Sequence, residues 1–407
     1  MARMRWRGLR LKRPSALAGS EMTRGVTLDL SRLLWRARFP TPSGIDRVER
    51  AYARHFLGQT QREAQFVARM GPLGARAIPP GALDTFLAAM EAGWATSGGD
   101  GGAAAIARLV AATQRPARTG QAITVIPSHQ NWHRRAWLEE RRGAAGRLVL
   151  FLHDTIPSDY PEYARTGGAA RHEERLRNGL AVADAFVVNS AATRDALHRF
   201  SAGQGLCQVA PIGLDPLPLP SPAAVPDGPY FIAVGTIEPR KNHLLLLHVW
   251  RRLADQLGAD APRLVIVGRR GWENENIVDL LERGRGLAPL VIEHNALGDA
   301  ALSALVRGAR ALLMPSFAEG FGMPVNEALA CGTPVIASDL PVYRETAGDV
   351  PLYLDPLDGP GWIGAVLDYV APQSAGRAAQ LARLAAWSPP RWPDHFGRLD
   401  ELLERLD

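Results

Sequence analysis

The chain of 407 residues carries only two cysteines, Cys207 and Cys331. A chain of this length buries a core without covalent staples, so a disulfide scaffold is excluded and reduced thiols are expected. Lysine is as scarce: of 47 basic residues only Lys12 and Lys241 are lysine, and the rest are arginine. Against that background a lysine inside the folded body marks a place where a compact ammonium suits better than a planar guanidinium. Nowhere do ~18 uncharged apolar residues run together, and no apolar signal segment follows the first arginines, so membrane spanning and secretion both lack support. The spacing GxxxxGK[ST] does not occur, which removes the usual fingerprint of ATP hydrolysis.

What is present is ordinary globular composition, 46% hydrophobic and 22% charged, in a length that suits two or three domains. The net charge of +6 is unevenly placed. Arg3, Arg5, Arg7, Arg10, Lys12 and Arg13 crowd the first positions, and the remaining body is near neutral. A basic arm over residues 1–25 reads either as a disordered, solvated terminus or as a contact for anionic lipid at the inner face of a membrane. Cytoplasmic residence is the expectation. Nucleic acid is not an expected partner, because the basic excess is confined to that short tail.

Short runs of Val, Ile and Leu, each followed by a turn and a helical pattern, predict parallel βα units. In the first half the strands are VTLDL (26–30), ITVIP (123–127), LVLFLHD (148–154), AFVVNS (185–190) and CQVAPIG (207–213). Helices are expected at 45–57, 169–182 and 191–200. The glycine-laden ATSGGDGGAAA (95–105) predicts a mobile loop. The proline-rich DPLPLPSPAAVPDGP (215–229) predicts a stiff linker between an N-terminal domain (26–214) and a second one (230–375). The second series of strands is YFIAVG (230–235), RLVIVG (263–268), LVIEHN (290–295), ALLMPS (311–316), PVIASD (334–339) and PLYLD (351–355). A helical tail over 376–407, broken by WSPPRWP, has room to bend across the domain boundary. In such doubly wound sheets ligands bind beyond the carboxyl ends of the strands.

The stretch PSFAEGFGMPVNEALACGTP (315–334) places Glu319 and Glu327 eight positions apart around a glycine-rich turn. The strand before it should end near Ser316 and the helix after it should begin near Met323 or Pro324. Gly320 and Gly322 permit close backbone approach, and the free amides of the helix start make an anion site. GTIEPRKNHLLLL (235–247) repeats the strand–turn–helix pattern, with Arg240 offering a bidentate fork and Lys241 a point charge. Strand order has to bring these two turns together before they can form one site.

The run EGFGMPVNEALACGTPVIASDLP, about eighty residues after GTIEPRKN, resembles the donor half of a retaining glycosyltransferase of family 4. TPSGIDRVERAY (41–52), LHDTIP (152–157), ADAFVVNSAATRDAL (183–197) and VAPIGLD (209–215) resemble segments of the acceptor half, so the likeness covers roughly residues 26–396. The resemblance implies a GT-B fold, two doubly wound Rossmann-like α/β domains facing across a cleft. It also implies a role in building bacterial surface polysaccharide with mannose or a related hexose. The donor would be a nucleotide diphosphosugar, GDP-mannose by analogy, and the acceptor a saccharide or lipid-linked oligosaccharide. By the same resemblance Arg240 and Lys241 hold the diphosphate, with the amides around Phe321, Gly322 and Met323. Glu319 contacts the sugar near the reacting carbon and Glu327 the ribose hydroxyls. His153 stands near the donor sugar as a catalytic group, and Gly44 lets the first glycine loop approach the diphosphate. Many relatives carry two glycines in that loop where this chain has one. No side-chain nucleophile is implied, no cofactor beyond the donor is expected, and the absence of a D-x-D pair favours catalysis without a metal.

A glycoside hydrolase also needs two carboxylates, but they must flank the scissile bond, whereas here both accompany a basic pair. A sugar-nucleotide epimerase of the same fold, and a non-catalytic scaffold that binds nucleotide sugar, stay open as alternatives.

Overall fold

The computed structural model describes residues 24–39, 41–96, 101–115, 122–203, 205–215, 218 and 225–407. Nearly all of the expected basic arm, and residues 216, 217 and 219–224 of the expected linker, lie outside them. The described residues fall into two compact units. One comprises those within Met1–Trp94, Gly98–Gly213 and Arg391–Asp407; the other comprises those within Ala95–Ser97 and Leu214–Pro390.

The first unit is built on seven strands: β1 (Val26–Asp29), β2 (Ala64–Arg69), β3 (Ala75–Ile78), β4 (Ile123–Ile126), β5 (Arg147–Leu152), β6 (Ala185–Val188) and β7 (Leu206–Val209). Their order is β3-β2-β1-β4-β5-β6-β7, parallel throughout except for the antiparallel β2–β3 pair at one edge. β1, β4 and β6 are buried along their whole length. That pattern requires helices on both faces; β6 reads as an unbroken apolar run, while β1 and β4 also bury Thr27, Asp29 and Thr124. The helices are α1 (Ser31–Arg36), α2 (Gly44–Gly58), α3 (Pro80–Thr96), α4 (Gly101–Ala112), α5 (Arg135–Arg142), α6 (Ile156–Asp159), α7 (Gly168–Val182) and α8 (Ala191–Ser201). α2 begins where Ser43 and Asp46 form a reciprocal capping box, satisfying two amides at the helix start.

The loop expected over 95–105 is corrected by this structure. Residues 95–96 close α3 and residues 101–105 open α4, because Ala103–Ala105 and the apolar residues that follow favour a helix strongly enough to carry the two glycines into its first turn. Residues 97–100 lie outside the described part.

The second unit has six strands, β8 (Tyr230–Val234), β9 (Arg263–Val267), β10 (Val291–His294), β11 (Leu312–Met314), β12 (Val335–Ser338) and β13 (Leu352–Leu354). Their order is β10-β9-β8-β11-β12-β13, all parallel. Between them run α9 (His243–Leu257), α10 (Glu275–Arg283), α11 (Asp299–Gly308), α12 (Met323–Ala330) and α13 (Pro341–Ala347), with α14 (Gly359–Val370) and α15 (Ala375–Leu384) after the last strand. Phe231, Trp250, Trp362 and Tyr369 anchor its core. The chain direction of sheet growth reverses between β8 and β11, as it does between β1 and β4 in the first unit.

The C-terminal tail is divided. α15 belongs to the second unit, while α16 (Trp392–Glu404) belongs to the first. His395 on α16 is fully buried: its Nδ1 donates to the Ala210 carbonyl at 3.0 Å, and its Nε2 lies 2.9 Å from the Tyr52 hydroxyl. A side chain at Gly213 would begin 2.2 Å from the Trp392 amide nitrogen, so only glycine lets the helix seat there. Among the described residues no helix is long and apolar enough to cross a membrane. Cys207 and Cys331 are both free.

Candidate functional site

β8 and β11 are neighbours in the second sheet, and the turns that follow them converge at their carboxyl ends. After β8 comes Gly235–Glu238 and then a 3-10 turn, Pro239–Lys241, which leads directly into α9. After β11 the chain runs through Ser316–Phe321 to Gly322, the N-cap of α12. Lys241 Nζ lies 2.5 Å from Glu319 Oε1. Arg240 donates to Glu319 Oε2 at 3.0 Å and to the Ala318 carbonyl at 3.0 Å. The Ser316 hydroxyl donates to Glu319 Oε1 at 2.8 Å. On its other side Arg240 pairs with Glu238 at 2.6 Å. The two turns therefore form one cluster of two cations and two carboxylates, at the point where the strand order reverses. Open α/β sheets bind their ligands at such switch points.

Burial controls the charges here. The Glu319 side chain is 5% exposed. Burial alone would raise its pKa, but Lys241 and Arg240, with hydrogen bonds from Lys241 and Ser316, outweigh it and hold the carboxylate down to about 2. For Lys241 the balance goes the other way: burial pulls the ammonium below its ordinary range, and Glu319 opposes the fall. Glu238 is raised by burial, with Arg240 and Lys241 opposing. A buried pair of this kind holds only while its partners remain, since losing one leaves an uncompensated charge.

The sequence reading has Glu319 directed at a sugar. In this structure both of its oxygens are engaged by the basic pair and Ser316. Glu327 lies half-buried on α12. Phe321 and Gly322 are buried and Met323 half-buried. Gly322 has φ +80°, and a side chain there would begin 2.3 Å from Cε1 of Tyr343, so the turn tolerates nothing larger. α12 has no side-chain cap, which suits a helix start that receives an anion.

Gly44 and His153 lie in the first unit. Gly44 is the first residue of α2 and is exposed. His153 follows β5 and is buried, stacked on Phe151 with ring centroids 4.3 Å apart. Its Nε2 donates to the Pro127 carbonyl at 2.9 Å. Burial brings the imidazole down to about 4, the bond to Pro127 opposing. Beside it, His129 Nε2 accepts from the His153 amide at 2.7 Å. Next to the capping box, Arg32 binds Asp46 at 2.7 Å and Glu49 at 2.6 Å.

Sequence reasoning passed over Glu238, Ser316 and Asn242. Each lies within three residues of one it singled out, and the only signal was a polar side chain at the end of a strand or the start of a helix. Among the described residues no group of His, Cys, Asp and Glu is arranged to hold a metal ion.

Residues 220–350, which contain this entire cluster, match the family model Glycosyl transferases group 1. Among solved structures, sucrose-phosphate synthase from Thermosynechococcus elongatus aligns with a TM-score of 0.61 at 19% identity, covering 94% of this chain and 99% of that one. HepE of Anabaena, solved in complex with UDP and glucose, aligns with a TM-score of 0.59 at 15% identity over 94% and 99% of the two chains. The chain has the GT-B fold, with two Rossmann-like domains. O-antigen chain mannosyltransferase B of Escherichia coli is 37% identical over 137 residues, which is 32% of this chain and 33% of the relative. The chain thus spans about a third of that curated relative's length.

Proposed function

We propose that this protein is a retaining glycosyltransferase of family 4 that moves a hexose, mannose by preference, from a nucleotide diphosphosugar to a saccharide or lipid-linked acceptor in polysaccharide synthesis. The observation that carries this reading is the ion pair between Lys241 and Glu319, with Arg240 on the same carboxylate, at the switch point of the second sheet. A diphosphate arriving there meets a guanidinium and an ammonium already oriented, and the start of α12 adds its amides at Phe321, Gly322 and Met323. Charge developing on the leaving diphosphate is stabilised without reorganising the site.

Glu319 keeps the two cations in place and shares them with the donor as it binds, turning a carboxylate oxygen toward the sugar. Glu327 accepts from the ribose hydroxyls. His153 and Gly44 serve the sugar and the diphosphate from the first unit, as the family resemblance implies, and the leaving phosphate takes the proton of the acceptor hydroxyl. GDP-mannose is the favoured donor, in keeping with the named mannosyltransferase relative, and the UDP-bound HepE supports a nucleoside diphosphate in this fold. No metal has a role in this scheme. The basic N-terminal arm brings the enzyme to the inner face of an anionic membrane, where lipid-linked acceptors lie.

The test is a thermal-shift series with GDP, UDP, ADP and dTDP. A nucleotide at ~100 times its Kd adds about 2.7 kcal/mol to the native state. One base should raise Tm in the wild type and fail to do so in the double variant Arg240→Ala, Lys241→Ala. Silence with all four nucleotides would overturn the donor assignment.

A further inference from the structure

The residue that ends the basic turn, Asn242, adopts a left-handed backbone with φ 54° and ψ 37°. A side chain rarely accepts that conformation; glycine does so freely and asparagine more readily than others. Glycine would fill the backbone role alone, so the carboxamide calls for its own explanation. Its Nδ2 donates to the Pro315 carbonyl at 3.1 Å and to the Pro356 carbonyl at 2.9 Å. Both amide hydrogens are used, and the residue is 6% exposed. Pro315 follows β11 and opens the loop that carries Glu319; Pro356 follows β13. The Phe317 amide adds a third tie by donating to the Arg240 carbonyl at 2.8 Å. One carboxamide thus fastens the turn after β8 to the ends of two other strands, immediately beside Lys241.

We propose that Asn242 is the positioning residue of the donor site: its carboxamide sets the Arg240–Lys241 turn against the Glu319 loop, so that the basic pair meets a diphosphate with its geometry preset. This inference rests on the donor reading given above. Asn242 touches neither donor nor reacting atoms; it acts through its neighbours. Without the two bonds, Arg240 and Lys241 sample orientations that must be frozen out when the ligand binds.

Asn242→Gly isolates the role, because glycine keeps the left-handed backbone and removes only the carboxamide. Asn242→Asp, which retains the shape and sets a carboxylate against two carbonyls, is the second variant. Gln380→Ala is the control for general destabilisation. Gln380 is buried in the same unit, bonded to Tyr369 and the Val335 carbonyl, and has no part in the cluster. Binding of GDP, UDP and inorganic pyrophosphate is measured by calorimetry at a temperature where each variant is fully folded. The expected result is a loss of at least tenfold in affinity for the nucleotide in Asn242→Gly and Asn242→Asp, with Gln380→Ala binding as the wild type does despite a lower Tm. Affinity within twofold of wild type in Asn242→Gly, or an equal loss in Gln380→Ala, overturns the positioning role. Wild-type protein that binds none of the three probes overturns instead the donor reading beneath it.

Discussion

Glu319 shows how differently one carboxylate reads in a sequence and in a folded site. As a loop residue eight positions before a second acid it suggests a ligand contact. In the fold it is the counter-ion of Lys241 and Arg240, nearly inaccessible, with Ser316 on the same oxygen as Lys241. Glu319→Gln should therefore do two things. Transfer should fall by at least ~100-fold, the order seen when one preorganised electrostatic contact is lost. Stability should also fall, by roughly 3–5 kcal/mol, because the buried ammonium of Lys241 loses its carboxylate partner. Urea unfolding and a turnover assay read the two effects separately; unchanged stability would mean that the buried pair is not formed in solution. The pH dependence has a definite sign. A carboxylate held down to about 2, against an ordinary 4.5, contributes stability that is complete above 4.5 and is lost as the pH falls through 2.

At the scale of the element, the decisive piece is the junction of β11 and α12. Pro324 in the first turn supports a helix start at Met323, where its missing amide donor costs nothing. Gly322 provides the left-handed cap and clears the Tyr343 ring. Gly322→Ala combines an unfavourable φ with a contact against a buried aromatic that has no room to withdraw. The expected outcome is a loss of about 2 kcal/mol or more together with loss of the nucleotide-induced thermal shift. A variant that keeps the full shift would detach the start of α12 from the donor site.

For the whole molecule, the buried imidazoles set a predictable acid limit. His153 and His395 are brought down to about 4 and His243 to about 3, each chiefly by burial, and His129 and His172 are lowered as well. In the unfolded chain they titrate near 6.5. The unfolded state therefore binds more protons below that value, and stability is lost as the pH falls from 6.5 toward 4. Tm should drop by at least about 5 °C between pH 7 and pH 5, and a flat profile over that interval would contradict the neutral buried state. Most of the strands were legible in advance because a strand covered on both faces is written as a run of Val, Ile and Leu. β2 and β3 were not, since AQFVAR and ARAI mix a short apolar core with polar and half-exposed positions at a sheet edge. The sequence by itself determined the two βα series, the glycine turn, the acids at 319 and 327 and the basic pair at 240 and 241, because each depends on residues close together in the chain. Only the tertiary structure decided that β8 lies beside β11, that Glu319 spends its oxygens on Arg240 and Lys241, and that Asn242 ties three strand ends together. Those facts depend on which parallel strands share hydrogen bonds, and that choice is made by packing between segments more than seventy residues apart.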